Sequence, residues 1–299
     1  MPKVMRVGKY SHKRRRRAKF PIAIALFLLI ALGSLTVSVL QGKEMVDSGL
    51  TDSEAVQAGT DNVISDIELN DSSSGTSQET SSAASSQKPS PYGTPLPESK
   101  PVNSTYFNDA VFFGDSVTDG ISLYDVMSNA KVIAYTGINP ATALTREAIK
   151  AEGDTKITMI EALKQENPGK IYIMMGINSI GMEKEAFIKS YAKMLDEIIA
   201  QHPESTIYVQ PITPVTTAYE TSTENTYGIT NEKIDSFNAD ILALAGQKKV
   251  YFVDIGEALK DESGALPEEA SPKDGIHFGK TYYEKWFSYL RTHTADGIS

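Results

Sequence analysis

The chain contains no cysteine in its 299 residues. Disulfides, thiolate metal sites, iron–sulfur clusters and a cysteine nucleophile are therefore excluded. Histidine is scarce, with four residues, so a histidine-rich metal site is not expected. Positive charge is in deficit: 29 Lys and Arg stand against 38 Asp and Glu, a net charge of −9. That balance argues against nucleic acid as the main partner. Apolar content of 40% is enough for a core, which rules out disorder along the whole chain.

The deficit is unevenly distributed. Residues 1–19 carry nine Lys and Arg and no acid, residues 20–40 carry no charge, and the remaining chain carries −18. Phe20–Leu40 reads FPIAIALFLLIALGSLTVSVL. Twenty-one helical residues span roughly 31 Å, the thickness of a bilayer's hydrocarbon core. The basic run before it predicts a cytoplasmic N-terminus and an exported body. The stretch is longer than a cleavable signal and ends in Ser38-Val39-Leu40-Gln41 rather than small-x-small. A single-pass signal-anchor is therefore the preferred reading, with a cleaved signal peptide as its rival.

Residues 41–104 read as an acidic, Ser/Pro-rich linker, with ten acids against three lysines and prolines at 89, 91, 95, 97 and 101. Such a composition cannot bury enough apolar surface to offset its ordering entropy. A flexible coil of that length reaches roughly 45 Å, enough to hold a following domain clear of a membrane. One folded domain is then expected over 105–299.

There the texture changes. Short apolar runs at 110–113, 131–135, 170–175, 206–210 and 250–254 alternate with helical patterns. Phe187, Tyr191, Met194 and Ile198 fall on one helical face, as do Ile234, Phe237, Ile241 and Leu244. A last helix is expected over 281–292. This β-α alternation predicts a parallel sheet covered by helices on both faces.

In open α/β sheets the ligand site lies beyond the carboxyl ends of the strands. Four segments follow strands in this chain: Gly114-Asp115-Ser116, Gly137, Gly176-Ile177-Asn178 and, after the fifth strand, Asp274-Gly275-Ile276-His277. Together they hold the parts of a serine hydrolase. A serine hydroxyl needs a base, and the imidazole needs a carboxylate to orient it. Asp274 and His277, three residues apart with Gly275 between, can share one loop. An oxyanion needs fixed donors, for which the backbone N–H groups of Ser116 and Gly137 and the Asn178 amide are candidates. Each piece alone has a bland reading: Gly137 as a strand-end turn, Asn178 as a turn or cap residue, Asp115 as a turn organiser, Asp119 as a helix-start residue. Their order at successive strand ends carries the inference. G-x-S-x-G is absent, so the nucleophile elbow of α/β-hydrolases is not indicated.

FFGDSVTDG, Gly137, GIN and DGIH resemble the four ordered blocks of the SGNH (GDSL-type) hydrolases. The resemblance covers about 109–294. It implies a flavodoxin-like three-layer α/β/α fold with a five-stranded parallel sheet. It implies Ser116 as nucleophile, His277 as base, Asp274 as its partner, and Ser116, Gly137 and Asn178 as the oxyanion hole. Val117 departs conservatively from the family's usual Leu. Ser179 stands where the family often has Asp, which removes a support for Asn178. His202 reads as a surface residue near a helix end. Tyr219 and Tyr227, in a polar segment after the fourth strand, are candidates for a substrate loop.

The expected activity is an extracytoplasmic esterase acting on small O-acyl, above all O-acetyl, groups of surface carbohydrate. No cofactor, metal or nucleic-acid partner is implied. The net charge of −11 on 105–299 does not steer it toward anionic polymers. A surface O-acyltransferase using the same triad and a non-catalytic wall-binding module are the alternatives.

Overall fold

The computed structural model describes residues 90–298. The basic tip, the apolar segment Phe20–Leu40 and most of the 41–104 linker lie outside the described residues. No helix among the described residues is long and apolar enough to cross a membrane.

Five strands form the main sheet: β1 (Ala110–Gly114), β2 (Lys131–Ala134), β3 (Lys170–Met174), β4 (Thr206–Val209) and β5 (Tyr251–Phe252). They are all parallel, in the order β2-β1-β3-β4-β5. This is the doubly wound arrangement of flavodoxin-like folds, and it matches the expected fold class. The central strands read as continuous apolar runs because both of their faces are covered. Side chains alternate between the faces with the two-residue period of a strand. Val111, Phe113, Ile171, Ile173, Ile207 and Val209 enter one core cluster. Ala110, Phe112, Tyr172, Met174 and Tyr208 enter the other.

The main helices are α1 (Ser116–Leu123), α2 (Met159–Lys164), α3 (Lys184–Gln201), α4 (Asn231–Lys248) and α5 (Lys280–Leu290). Three of the starts have a local cap. Asp115 caps α1, the reciprocal pair Thr158 and Glu161 caps α2, and the Thr230 side chain caps α4. Both faces read from helical spacing are buried: Phe187, Tyr191, Met194 and Ile198 on α3, and Ile234, Phe237, Ile241 and Leu244 on α4. These two helices cover the first cluster. On the second, α5 buries Tyr282, Tyr283, Trp286, Phe287 and Leu290, with Val117 and Ile121 of α1 beside them.

Two features differ from expectation. An antiparallel hairpin pairs Ile149–Lys150 with Lys156–Ile157. The packed domain also begins before residue 105. Leu96 is 3% exposed, its N–H donates to the Phe252 carbonyl at 2.8 Å, and Pro95 bridges Phe252 in parallel. Ser99 and Val102 donate their N–H groups to Thr292 and Arg291 at the end of α5. The C-terminal end of the proline-rich linker is thus a strap along the β5 edge, fixed by backbone bonds that composition does not reveal.

Candidate active site

Because the strands are parallel, the loops after β1, β2 and β3 emerge at one edge of the sheet. The turn of residues 274–277, reached after β5, joins them there. Ser116 is the first residue of α1, immediately beyond β1. Its Oγ lies 2.7 Å from His277 Nε2, and His277 Nδ1 lies 2.9 Å from Asp274 Oδ2. A carboxylate only accepts hydrogen bonds, so Nδ1 carries the proton and Nε2 is left to accept from Ser116.

The turn holding this pair is built around Asp274. Its Oδ1 accepts from the N–H groups of Ile276 (3.0 Å) and His277 (2.8 Å), while Oδ2 faces the imidazole. The Ser271 hydroxyl lies 3.1 Å from Asp274 Oδ1 and 2.8 Å from the His277 carbonyl, closing the turn from below. Gly275 has φ +72° and no room for a side chain: a Cβ there would lie 2.4 Å from Tyr219 Cβ and 2.6 Å from Thr216 Oγ1. The Thr216 N–H donates to the Gly275 carbonyl at 2.9 Å, so the segment after β4 is bonded directly to the Asp274–His277 turn.

Electrostatics follow from this geometry. Burial by itself would raise the Asp274 carboxyl, but the His277 side chain and the N–H groups of His277 and Ile276 outweigh it. The carboxyl is held well below the usual range. The hydrogen bond to Asp274 raises His277, against partial desolvation. An imidazolium at His277 is therefore stabilised in this setting.

The third limb follows β3. Asn178 Nδ2 donates to the Ile138 carbonyl at 2.9 Å. One amide hydrogen thus ties the Asn178 loop to the Gly137 loop, and the other is left for a ligand. Ser179 is buried, and its Oγ has no hydrogen-bond partner among the described residues. It does not replace the support that an acid would give at that position; the Ile138 carbonyl orients the amide instead. Gly137 adopts φ +75°.

Ser116, Gly137, Asn178, His277, Tyr219 and Tyr227 line one cleft of about 370 Å³, with Ile177, Ile229 and Ile276 supplying apolar wall. All seven residues singled out in the sequence lie at this site, six on the cleft wall and Asp274 behind His277. Tyr227 is 72% exposed and lies against Gly181 at the rim. His202, by contrast, is buried at the end of α3 rather than on the surface, and burial lowers its pKa. Among the described residues no cluster of His, Asp and Glu could hold a metal ion. Sequence reasoning missed Ser271, which is local to the turn, and two parts that act between distant segments, the Ile138 carbonyl and the Thr216–Gly275 bond, neither of which has a local motif.

A doubly wound parallel sheet with a serine, a histidine and an aspartate in hydrogen-bonded sequence at its carboxyl edge defines a serine-hydrolase class of site. The family of GDSL-like lipases and acylhydrolases matches residues 112–285, more than half of the chain. The chain belongs to that family and is a carboxylic ester hydrolase. The search of curated proteins found no match. Among solved structures, a GDSL-like lipase of Bacteroides thetaiotaomicron is 17% identical, covering 61% of this chain and 85% of that one, with a TM-score of 0.46. The periplasmic domain of a lipopolysaccharide acetyltransferase from Salmonella ser. Paratyphi A is 16% identical (61% and 82% covered, TM-score 0.43). A carbohydrate esterase of family 3 from Talaromyces cellulolyticus is 14% identical (61% and 94% covered, TM-score 0.42).

Proposed function

We propose that the protein is an extracytoplasmic serine esterase that removes small O-acyl groups, above all O-acetyl, from cell-surface carbohydrate. The observation that carries this reading is the run of two hydrogen bonds from Ser116 through His277 to Asp274 at the wall of the cleft. In this mechanism Ser116 Oγ attacks the ester carbonyl and its proton passes to His277 Nε2. The backbone N–H groups of Ser116 and Gly137 and the free amide hydrogen of Asn178 receive the oxyanion. Collapse breaks the C–O bond, and His277 returns the proton to the leaving sugar oxygen, leaving acyl-Ser116. Water, deprotonated by His277, then attacks the acyl carbon, and the acid leaves as the serine is regenerated.

The choice of a small acyl group is supported by a cleft of about 370 Å³ shared between acyl and alcohol. The extracytoplasmic placement is supported by sequence: the basic tip followed by Phe20–Leu40, read as a membrane anchor. The substrate class is tested by incubating the full-length protein with acylated cell-wall polymers and identifying the released acid by mass spectrometry. Ser116→Ala is expected to abolish this release and the hydrolysis of a short-chain chromogenic ester. Undiminished turnover in that variant would overturn the assignment.

A further inference from the structure

Asp115 is more than the cap of α1. It is 2% exposed, and its two carboxylate oxygens are divided between different elements. Oδ1 accepts from the Val117 N–H at 3.1 Å, in the first turn of α1. Oδ2 accepts from the Gly176 N–H at 3.2 Å, in the loop after the neighbouring strand β3. Ser116 lies between Asp115 and Val117 in the first limb, and Asn178 follows Gly176 by two residues in the second. A cap needs only one acceptor, which a serine supplies equally well. A buried carboxylate is costly to desolvate, and among the described residues no lysine or arginine pairs with Asp115.

We propose that Asp115 is a positioning residue, locking the Ser116 and Asn178 limbs into one unit. The proposal rests on the reading of Ser116 as nucleophile. The charge at this position is shaped by its surroundings. Burial raises the carboxyl to about 6, while the Val117 and Gly176 N–H groups and His277 pull it down. Besides His277, the groups that sense it are Tyr191 of α3 and Tyr283 of α5, and burial pushes both phenols above their ordinary value, so they are neutral at neutral pH. The ionised Asp115 in turn raises His277, adding to the larger effect of Asp274.

Two variants of the full-length protein separate this role from capping. Ser at position 115 (Asp115→Ser) keeps a cap for Val117 but is too short to reach Gly176. It is expected to melt within a few degrees of the parent, with kcat on a short-chain chromogenic ester lower by about 10- to 100-fold and KM nearly unchanged. That is the loss expected when catalytic groups shift by about 1 Å. Asp115→Asn keeps the shape but sets its amide NH2 against one of the two N–H donors, so it also opens one arm of the clamp, and its kcat is expected to fall as in Asp115→Ser with KM nearly unchanged. A folded Asp115→Ser or a folded Asp115→Asn with parental kcat overturns the proposal. The parent protein gives a test that needs no variant: the amide resonances of Val117 and Gly176 are expected to titrate together. Independent titration of the two overturns the clamp even if Ser116→Ala has left turnover intact and so removed the nucleophile reading.

Discussion

Gly275 offers the sharpest test of how the catalytic turn is held. Replacing it with alanine introduces two separate costs. At φ +72° an L-residue occupies the left-handed region, at about 1–2 kcal/mol. The new Cβ would also stand 2.4 Å from Tyr219 Cβ and 2.6 Å from Thr216 Oγ1. Neither neighbour is the far end of a flexible chain, so backbone must move, at about 1–3 kcal/mol. The sum is about 2–5 kcal/mol, which for a domain of this size lowers Tm by about 4–20 °C. The displacement falls between Asp274 and His277, so the imidazole moves with it. An error of about 1 Å there costs about 100-fold in rate. The assay pairs a thermal melt followed by circular dichroism with kcat on a short-chain chromogenic ester at a temperature where the variant is folded. A variant that melts within 1 °C of the parent and keeps more than half its turnover would refute the argument that the Thr216–Gly275 contact sets the geometry of the base.

Three further predictions concern Asp274, the pH dependence of stability and the strap. In Asp274→Asn the imidazole loses the hydrogen bond that raises it, so the acidic limb of kcat/KM should move to lower pH while kcat falls by about 10³–10⁴-fold. Asp274 is depressed, so its stabilising contribution is present above about pH 4 and fades as pH falls; His277 is raised, so its contribution is complete below about pH 6.5 and is lost as pH rises through its folded value. A melting profile from pH 3 to 9 checks both signs, and a parent that loses no stability on acidification below pH 4 contradicts the first. Leu96→Ala removes a buried side chain of the strap, for about 2–3 kcal/mol and a Tm lower by about 4–12 °C, with kcat per folded molecule unchanged. A Tm shift under 1 °C would mean that the strap is not part of the cooperative unit.

The readable parts of the sequence were those with local periodicity. The apolar runs at 110–113, 131–135, 170–175, 206–210 and 250–254 became strands within a few residues because buried parallel strands need unbroken apolar side chains. The four-three-four spacing on α3 and the three-four-three spacing on α4 marked faces that are in fact buried. The hairpin at residues 149–157 was invisible because two-residue strands show no period. The strap was hidden for a different reason. Its prolines exclude regular structure and suggest a solvated coil, yet Leu96 and Val102 make contacts that depend on the distant Phe252 and Arg291. The site divides in the same way. Asp274 and His277 were legible at three-residue spacing, and Ser116 and Asn178 by their places after strands. The Ile138 carbonyl that orients Asn178 and the second oxygen of Asp115 act between loops, where no spacing rule applies.

The strap also determines where mechanical load enters the domain. Tension applied at residue 90 reaches the domain through the strap, where Tyr92 packs on Tyr251, Leu96 holds the β5 edge and Ser99 and Val102 hold the end of α5. In the sheet order, β3 and β4 stand between that edge and β1, which leads into Ser116. A pull along the strap therefore loads the outer strand first and leaves β1 unstressed until the edge has yielded. Peeling the strap would also bare the outer hydrogen-bonding row of β5, a surface able to recruit another strand. The same thirteen or so residues thus act as a strain relief for the catalytic edge and as a cover against sheet-to-sheet association.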